Sequence, residues 1–184
     1  MGAEHQSEYT LKVAGLTRQL PLRQVSPDLS IASFVMLGDT ELVEKTAAAL
    51  YDKLPKYNID ILVCPEAKAI PLAQELASLL KVNYVVVRKS VKGYMKNPLT
   101  EKTKSITTVE DQQLVLDGVD VEKIAGRNVC IVDDVVSTGG SLKSIETLLR
   151  RTDCKIVCKA AVLLEEAGYE DPDLVYLERL PVFK

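Results

Sequence analysis

The chain has 184 residues, of which 47% are hydrophobic and 27% are charged, with a formal net charge of −3 and a pI near 5.3. This composition is typical of a soluble globular domain, and its acidity argues against a nucleic-acid-binding protein, which usually carries a basic surplus. No apolar run approaches the roughly 20 residues that span a bilayer, and the first residues lack a signal-peptide core, so we expect a cytoplasmic protein without a membrane partner.

The first 37 residues predict short antiparallel strands, because apolar and polar residues alternate there and turn residues interrupt them often. The strand-like segments are Tyr9–Val13, Leu20–Leu22 and Leu29–Val35. Residues 1–37 are therefore predicted to form a small N-terminal addition to the rest of the fold.

From Gly38 onward, helical and strand-like segments alternate. Asp39 or Thr40 can cap a helix that runs to about Leu54, and Pro71 suits the first turn of a second helix. A third helix is predicted over Leu142–Leu149. The apolar runs of strand length are Ile59–Cys64, Tyr84–Val87, Asn128–Val132 and Ile156–Leu164. This alternation predicts an α/β fold with a parallel sheet and right-handed crossovers.

Residues 89–105 break this pattern. The segment contains Gly93, Asn97, Pro98 and many lysines, and it has little periodicity. It is therefore predicted to be a long loop, and long loops in compact domains are usually functional or disordered.

The cysteines give no sign of a metal site. Cys64 and Cys130 lie inside apolar strand-like runs, the chain has no CxxC motif, and its one histidine is His5 near the terminus. A zinc site needs about four converging nitrogen or sulfur ligands. We therefore expect reduced, mostly buried thiols.

The segment Val129–Ser141 carries most of the chemical information. An apolar strand delivers Asp133 and Asp134 to its carboxyl end, and a turn over Ser137–Gly140 then opens a helix. Ligands bind at this edge of open α/β sheets. The turn's N–H groups, its hydroxyls and the helix dipole suit a phosphate, and the carboxylates can accept hydrogen bonds from a sugar diol. A 5-phosphoribosyl group presents both features, and no Walker P-loop motif is present.

The run Cys130–Ser141 resembles the signature of the type I phosphoribosyltransferases, which bind 5-phosphoribosyl 1-pyrophosphate (PRPP), and the chain as a whole resembles adenine phosphoribosyltransferases. The resemblance implies one domain over residues 1–184, with a hood at 1–37 and a Rossmann-like parallel-sheet core at 38–184. It implies an enzyme that moves the phosphoribosyl group from PRPP to a purine base. The implied PRPP-binding residues are Asp133, Asp134, Val135, Val136, Ser137, Thr138, Gly139, Gly140 and Ser141. The resemblance implies that Asp133 and Asp134 bind mainly the ribose, and it also makes them catalytic candidates.

Two other segments extend the resemblance. The residues that look like the family's pyrophosphate-binding loop and its partners are Glu66, Ala67, Lys68, Ala69, Arg88 and Lys89, with Ala69 standing where many relatives have glycine. Residues 89–105 look like the family's flexible lid, with Lys92 and Tyr94 as further catalytic candidates. The lid's basic excess suits attraction of a polyanion, although a solvated lysine-rich loop is the alternative. A closed lid would keep water from the sugar.

The accepted base is predicted from the N-terminal addition. Pro21, Leu22 and Arg23 are similar to the purine-contacting segment of adenine phosphoribosyltransferases, with Leu22 where those enzymes have a stacking phenylalanine. Ser137 stands where hypoxanthine-guanine enzymes usually have an aspartate, so adenine is favoured. Orotate and xanthine enzymes and a non-catalytic PRPP sensor remain alternatives. A sensor would need a DNA-binding module, for which the α/β core leaves no room.

The resemblance also implies a cofactor and an oligomeric state. Mg²⁺ is expected, held mainly by PRPP oxygens and water rather than by the protein alone. A homodimer is expected from the family, because the residues themselves do not show pairing.

Overall fold

A computed structural model describes residues 7–103 and 112–183. Its helices are α1 Thr40–Lys53, α2 Ile70–Leu80, α3 Gly118–Ile124 and α4 Gly140–Leu149. Its strands are β1 Glu8–Val13, β2 Leu16–Ser26, β3 Leu29–Ala32, β4 Ile61–Pro65, β5 Asn83–Val87, β6 Leu99–Thr103, β7 Gln112–Leu116, β8 Asn128–Val136, β9 Lys155–Glu165, β10 Leu174–Leu180 and β11 Val182–Phe183.

The central sheet has five strands in the order β10-β9-β8-β4-β5, and every neighbouring pair is parallel. This confirms the predicted α/β fold. β8 lies in the middle of the sheet, which is why its residues read as one apolar run. Parallel strands end at the same edge, so the residues after β4, β8 and β9 come together there.

Helix α1 forms where the sequence predicts it. The Asp39 side chain caps it by accepting a hydrogen bond from the backbone N–H of Leu42 at 3.1 Å. Its buried face includes Leu42 and Leu50, which are at most 2% exposed, and each such leucine contributes about 1.5–3 kcal/mol through burial. Ala47 completes this face.

The hood is an antiparallel sheet in the order β1-β2-β3-β11. Its last strand, Val182–Phe183, comes from the other end of the chain and pairs with β3. β2 is an 11-residue strand, much longer than the predicted Leu20–Leu22. The boundary of the hood at residue 37 stays a prediction.

The structure corrects the prediction of one continuous loop over residues 89–105. Leu99–Thr103 is a strand that pairs antiparallel with Gln112–Leu116. The sequence signal is weak because Glu101 and Lys102 interrupt its apolar pattern, and strand formation here depends on a partner farther along the chain. Residues 104 and 105 lie outside the described residues, and the flexibility of the lid stays a prediction.

Two apolar clusters cover the faces of the central sheet. One joins α1 and α2 to the hood, with Leu42, Leu72 and Leu11 among its fully buried members. The other places α4 against the opposite face through Leu142 and Ile145. None of the helices in the two described stretches is both long and apolar enough to cross a membrane.

Candidate active site

Two adjacent carboxylates lie near the end of β8. Asp133 and Asp134 are only 6% and 5% exposed, and the backbone N–H of Asp134 donates to Asp133 Oδ1 at 2.8 Å. Lys68 Nζ lies 3.8 Å from Asp134 Oδ2, but that buried oxygen has no hydrogen-bond donor among the described residues. A buried acceptor without a donor is costly. The site is therefore suited to a ligand that brings its own hydroxyl groups.

The buried pair has a shifted acidity. Burial raises the pKa of Asp133 well above its usual range, and the neighbouring charge of Asp134 raises it further, while Lys68 partly opposes both effects. Folding therefore favours the protonated form of Asp133 when no ligand is present.

Replacing Asp133 with asparagine is expected to stabilise the free protein and weaken PRPP binding at least tenfold. An acid whose pKa is raised by folding costs stability as pH rises above its unfolded value of about 4. The amide removes that cost, so we expect Tm at pH 7.5 to rise by about 2–4 °C per kcal/mol regained. Tm measured from pH 4 to 8, with PRPP titrations, checks this. The control Asp52→Asn, at an exposed position of α1, should change neither Tm nor PRPP affinity. A lower Tm for Asp133→Asn than for the unaltered protein at pH 7.5 would contradict the prediction.

The two helices that begin at this edge lack side-chain caps. Neither α2 nor α4 has a capping side chain, whereas Asp39 caps α1 and Asp117 caps α3. The first N–H groups of an uncapped helix remain free to bind an anion and lie at the positive end of the helix dipole. The start of α4 is therefore suited to an anion. At α2 the Ile70 N–H already donates to Ala67 O at 3.3 Å and Pro71 has no N–H, so α2 contributes its dipole and the nearby Lys68 rather than a set of free N–H groups.

A cavity of about 500 Å³ lies over this edge. One wall comes from β8 and the following turn, with Asp133, Asp134, Val135, Ser137 and Ser141. A second comes from Pro65–Ala69 and Lys89, and a third from the hood residues Ile31–Phe34 with Leu180 and Glu165. The cavity is large enough for a phosphorylated sugar and a base.

Other predicted PRPP-binding residues take part in the turn without lining the cavity. Val136 is 2% exposed and belongs to the core. Thr138 and Gly140 lie beside the start of α4, and Gly139 is its N-cap residue with a φ of +75°. Contact between these residues and PRPP stays a prediction.

Tyr169 packs directly over Gly139. A Cβ added at Gly139 would lie 2.2 Å from the Tyr169 ring. The Tyr169 hydroxyl donates to Asp171 Oδ2 at 2.7 Å, and Lys159 Nζ lies 2.5 Å from both Asp171 and Glu146. Burial, followed by the hydrogen bond to Asp171, raises the pKa of Tyr169 to about 12. A partly buried ion-pair network thus holds the tyrosine against the turn, and the sequence alone did not predict this network.

The predicted pyrophosphate loop contains a second ion pair. Glu66 accepts from Arg88 Nε at 2.5 Å and from the backbone N–H of Lys89 at 2.6 Å. Burial acts to raise the pKa of Glu66, but these hydrogen bonds outweigh it and hold the pKa below its usual range. Ala69 has a φ of −79° and a ψ of −11°, an ordinary right-handed conformation, so alanine causes no backbone strain there.

The lid candidates lie outside the cavity lining. Tyr94 is 68% exposed, and its hydroxyl accepts from Arg88 at 3.3 Å. The backbone N–H of Lys92 contacts the Met95 sulfur at 3.4 Å. A catalytic role for Lys92 and Tyr94 stays a prediction, and Lys104 lies outside the described residues.

The predicted base-binding residues lie one strand away from the cavity wall. Pro21, Leu22 and Arg23 belong to β2, and Leu22 pairs with Ala32 of β3. The cavity is lined instead by Ile31–Phe34. Contact between β2 and a base stays a prediction, while Phe34 is an aromatic side chain that the sequence analysis did not consider.

Glu165 was also missed. It ends β9, is 6% exposed, and accepts a hydrogen bond from the Ser137 hydroxyl. The signal was present in the sequence, because Glu165 follows the apolar run Ile156–Leu164 just as Asp133 follows the apolar run Asn128–Val132. Only the adjacency of β8 and β9 shows that the two strand ends meet.

Comparison with known proteins defines the family. Residues 37–180 match the family model "Phosphoribosyl transferase domain". The chain belongs to the phosphoribosyltransferase family. This confirms the resemblance drawn from Cys130–Ser141, and with it the expectation of a pentosyltransferase enzyme.

Relatives of this phosphoribosyltransferase carry two different base specificities in their names. A hypoxanthine/guanine phosphoribosyltransferase of Methanotorris igneus is 31% identical over 160 residues, covering 80% of this chain and 82% of its own length. An adenine phosphoribosyltransferase of Petrotoga mobilis is 32% identical over 139 residues, covering 74% and 75%. The crystal structure of adenine phosphoribosyltransferase from Thermoanaerobacter pseudethanolicus superposes with a TM-score of 0.67 at 19% identity, covering 94% of this chain and 95% of that one. This last likeness supports the fold alone.

Proposed function

We propose that this phosphoribosyltransferase transfers the 5-phosphoribosyl group of PRPP to a purine base in the cytoplasm, with adenine as the preferred base. The observation that carries this proposal is the buried Asp133–Asp134 pair, with one oxygen lacking a donor, between two uncapped helix starts. PRPP brings ribose hydroxyls between two phosphate groups, and the site offers carboxylate acceptors together with the α4 start and the Lys68 ammonium as anion-binding groups. The relatives named for purine phosphoribosyltransferases support the purine class.

Each part of PRPP has a place in the proposed complex. The 5-phosphate lies at the start of α4, beside the hydroxyl of Ser141. The ribose hydroxyls donate to Asp133 and Asp134, and the pyrophosphate lies at the start of α2 beside Lys68. The remaining space, next to Phe34 and Leu180, takes the base.

This arrangement favours transfer mainly by holding the reactants in line. Positive charge develops at the sugar C1 as the bond to pyrophosphate breaks, and fixed groups around the leaving pyrophosphate stabilise its charge. The cavity is partly open to solvent, so exclusion of water from C1 depends on closure of the predicted lid, which would limit hydrolysis. In the free protein, the Lys68–Asp134 separation of 3.8 Å is long for a hydrogen bond, so Lys68 can turn to the pyrophosphate.

Magnesium fits this site only as a partner of PRPP. Within the two described stretches, no three histidine, cysteine or acidic side chains converge to hold a metal ion. Asp133 and Asp134 could contribute oxygen ligands, and PRPP oxygens and water would supply the rest. When bound, the ion would neutralise pyrophosphate charge.

The preference for adenine rests on Ser137. A hydroxyl stands there instead of an acid, which distinguishes this chain from the pattern expected of hypoxanthine-guanine enzymes. Adenine offers N1 and N6–H as an acceptor and donor pair that backbone groups can read, so it needs few specific side chains. A homodimer is also proposed, on the family resemblance alone, and light scattering at micromolar concentration tests it.

The proposed function is tested by measuring pyrophosphate release from PRPP and Mg²⁺ with adenine, hypoxanthine, guanine, xanthine and orotate in parallel. We expect the highest kcat/KM with adenine, and a reaction without base controls for hydrolysis. Turnover of orotate with none of any purine would overturn the base assignment. Tight PRPP binding without turnover of any base would indicate a sensor instead.

A further inference from the structure

The proposed reaction requires a proton acceptor for the base. A free base carries hydrogen on a ring nitrogen, and that proton must leave when a ring nitrogen bonds to the sugar. We propose that Ser137 and Glu165 form a proton relay, in which the Ser137 hydroxyl accepts the ring proton and passes its own proton to Glu165. This inference rests on the proposed function.

The first support is the geometry of the pair. The Ser137 hydroxyl donates to Glu165 Oε2, and both residues line the cavity. Glu165 is 6% exposed, and Ser137 is its one hydrogen-bond donor from a side chain in residues 7–103 and 112–183. A hydroxyl that donates to a carboxylate has its lone pairs free to accept another proton. The serine can therefore receive a base N–H without breaking its bond to Glu165.

The second support is location. If the 5-phosphate lies at the α4 start and the pyrophosphate at the α2 start, the base occupies the hood side of the cavity. Glu165 and Leu180 line the cavity together with the hood residues Ile31–Phe34. The relay therefore lies between the sugar position and the base compartment, where the ring nitrogens would be.

The third support is that the other carboxylates of the cavity are either bound by other groups or assigned to the ribose. Glu66 is bound by Arg88 and by the backbone of Lys89. Asp133 accepts from the Asp134 backbone, and this pair is assigned to the ribose. Among the cavity carboxylates of the described residues, Glu165 is thus the one joined to a hydroxyl that can relay a proton.

The step balances without any further reagent. The ring nitrogen forms a bond to C1 of the sugar, and the electron pair of the breaking C1–O bond leaves with pyrophosphate. The N–H proton moves to Ser137 Oγ as the serine proton moves to Glu165 Oε2. After the products leave, Glu165 returns its proton to solvent.

The experiment compares Glu165→Gln with Glu166→Gln, an exposed neighbour that serves as the matched control. Glutamine keeps the shape of the side chain but cannot take a proton. We expect the single-turnover rate of Glu165→Gln to fall about 100-fold, as is typical for loss of a general base, with PRPP affinity within about twofold. The single-turnover rate of Ser137→Ala should fall by a similar factor. The double variant should react no more slowly than the slower of the two single variants, since the two residues act as one unit.

A second readout separates proton transfer from a structural role. The 8-aza analogue of the accepted base has a more acidic ring N–H, so it needs less help from a proton acceptor. The loss of rate in Glu165→Gln should therefore be about tenfold smaller with the analogue.

Failure of the relay can be told apart from failure of the proposed function. If the unaltered protein binds no PRPP and releases no pyrophosphate with any base, the proposed function fails and the relay fails with it. If the unaltered protein turns over but Glu165→Gln keeps its rate, the relay alone is wrong. An equal loss of rate with the base and its 8-aza analogue also overturns the relay.

Discussion

Replacing Gly139 with valine is expected to weaken PRPP binding at least 100-fold while the sheet stays folded. Gly139 has a φ of +75°, a left-handed conformation that costs a branched residue roughly 1–2 kcal/mol. Its added Cβ would also lie 2.2 Å from the Tyr169 ring. Tyr169 is held by Asp171 and cannot move freely, so the turn itself must shift and misplace the α4 start. The Tyr169 side chain is thus an obstacle to the variant even before any ligand binds.

The measurement is PRPP affinity by calorimetry, with circular dichroism to show that the variant is folded. Gly126→Val is the matched control, because Gly126 has a similar φ of +68° but nothing within 4 Å of its Cβ position. The control should lose some stability and keep its PRPP affinity. Adding Tyr169→Ala to Gly139→Val should restore part of the affinity. A folded Gly139→Val protein with unchanged affinity would remove the turn from the binding site.

Replacing Lys159 with methionine is expected to destabilise the protein by about 3 kcal/mol at pH 7. The lysine side chain is 12% exposed and neutralises Asp171 and Glu146, which are 12% and 16% exposed. Removing it leaves two largely buried carboxylates without a cation, and breaking such a pair typically costs about 3–5 kcal/mol. Because these ions also hold Tyr169 over Gly139, PRPP affinity should fall as well.

Urea unfolding at two pH values tests this prediction. Burial acts to raise the pKa of Asp171, but hydrogen bonds from Lys159 and Tyr169 outweigh it and hold the pKa below its ordinary value. A lowered pKa contributes stability above the unfolded value of about 4, and that contribution disappears as pH falls. The difference between Lys159→Met and the unaltered protein should therefore shrink at pH 3. The control Arg179→Met removes an exposed ion pair with Glu170 at 3.5 Å and should change little, and equal losses in both variants contradict the argument.

Local sequence signals predicted three of the four described helices and four of the five central strands, whereas α3 and β10 were not predicted. Asp39 as a cap, Pro71 near the start of α2 and the apolar runs of β4, β8 and β9 were each readable, because capping and burial act within a few residues. The order of two acids followed by a hydroxyl- and glycine-rich turn likewise pointed to a phosphoribosyl group. The family match over residues 37–180 agrees with that interpretation.

Elements that depend on distant partners were not readable in the same way. The strand Leu99–Thr103 needs Gln112–Leu116, and β11 needs β3 to complete the hood. The first of these strands carries Glu101 and Lys102, and β11 has only two residues, so pairing decides their structure. Strand pairing also decided the position of Leu22. Its strand β2 pairs with β3, and β3 rather than β2 contributes to the cavity wall.

The sequence by itself determined that two acids and the Ser137–Gly140 turn lie at one strand end, because Asp133, Asp134 and Ser137–Ser141 fall within nine residues of one another. Only the tertiary structure decided what surrounds that turn. Glu165 contacts Ser137 from 28 residues away, and Tyr169 covers Gly139, because β9 lies beside β8 in the sheet. Contacts across neighbouring strands depend on strand order and register, and neither is written in any local run of residues.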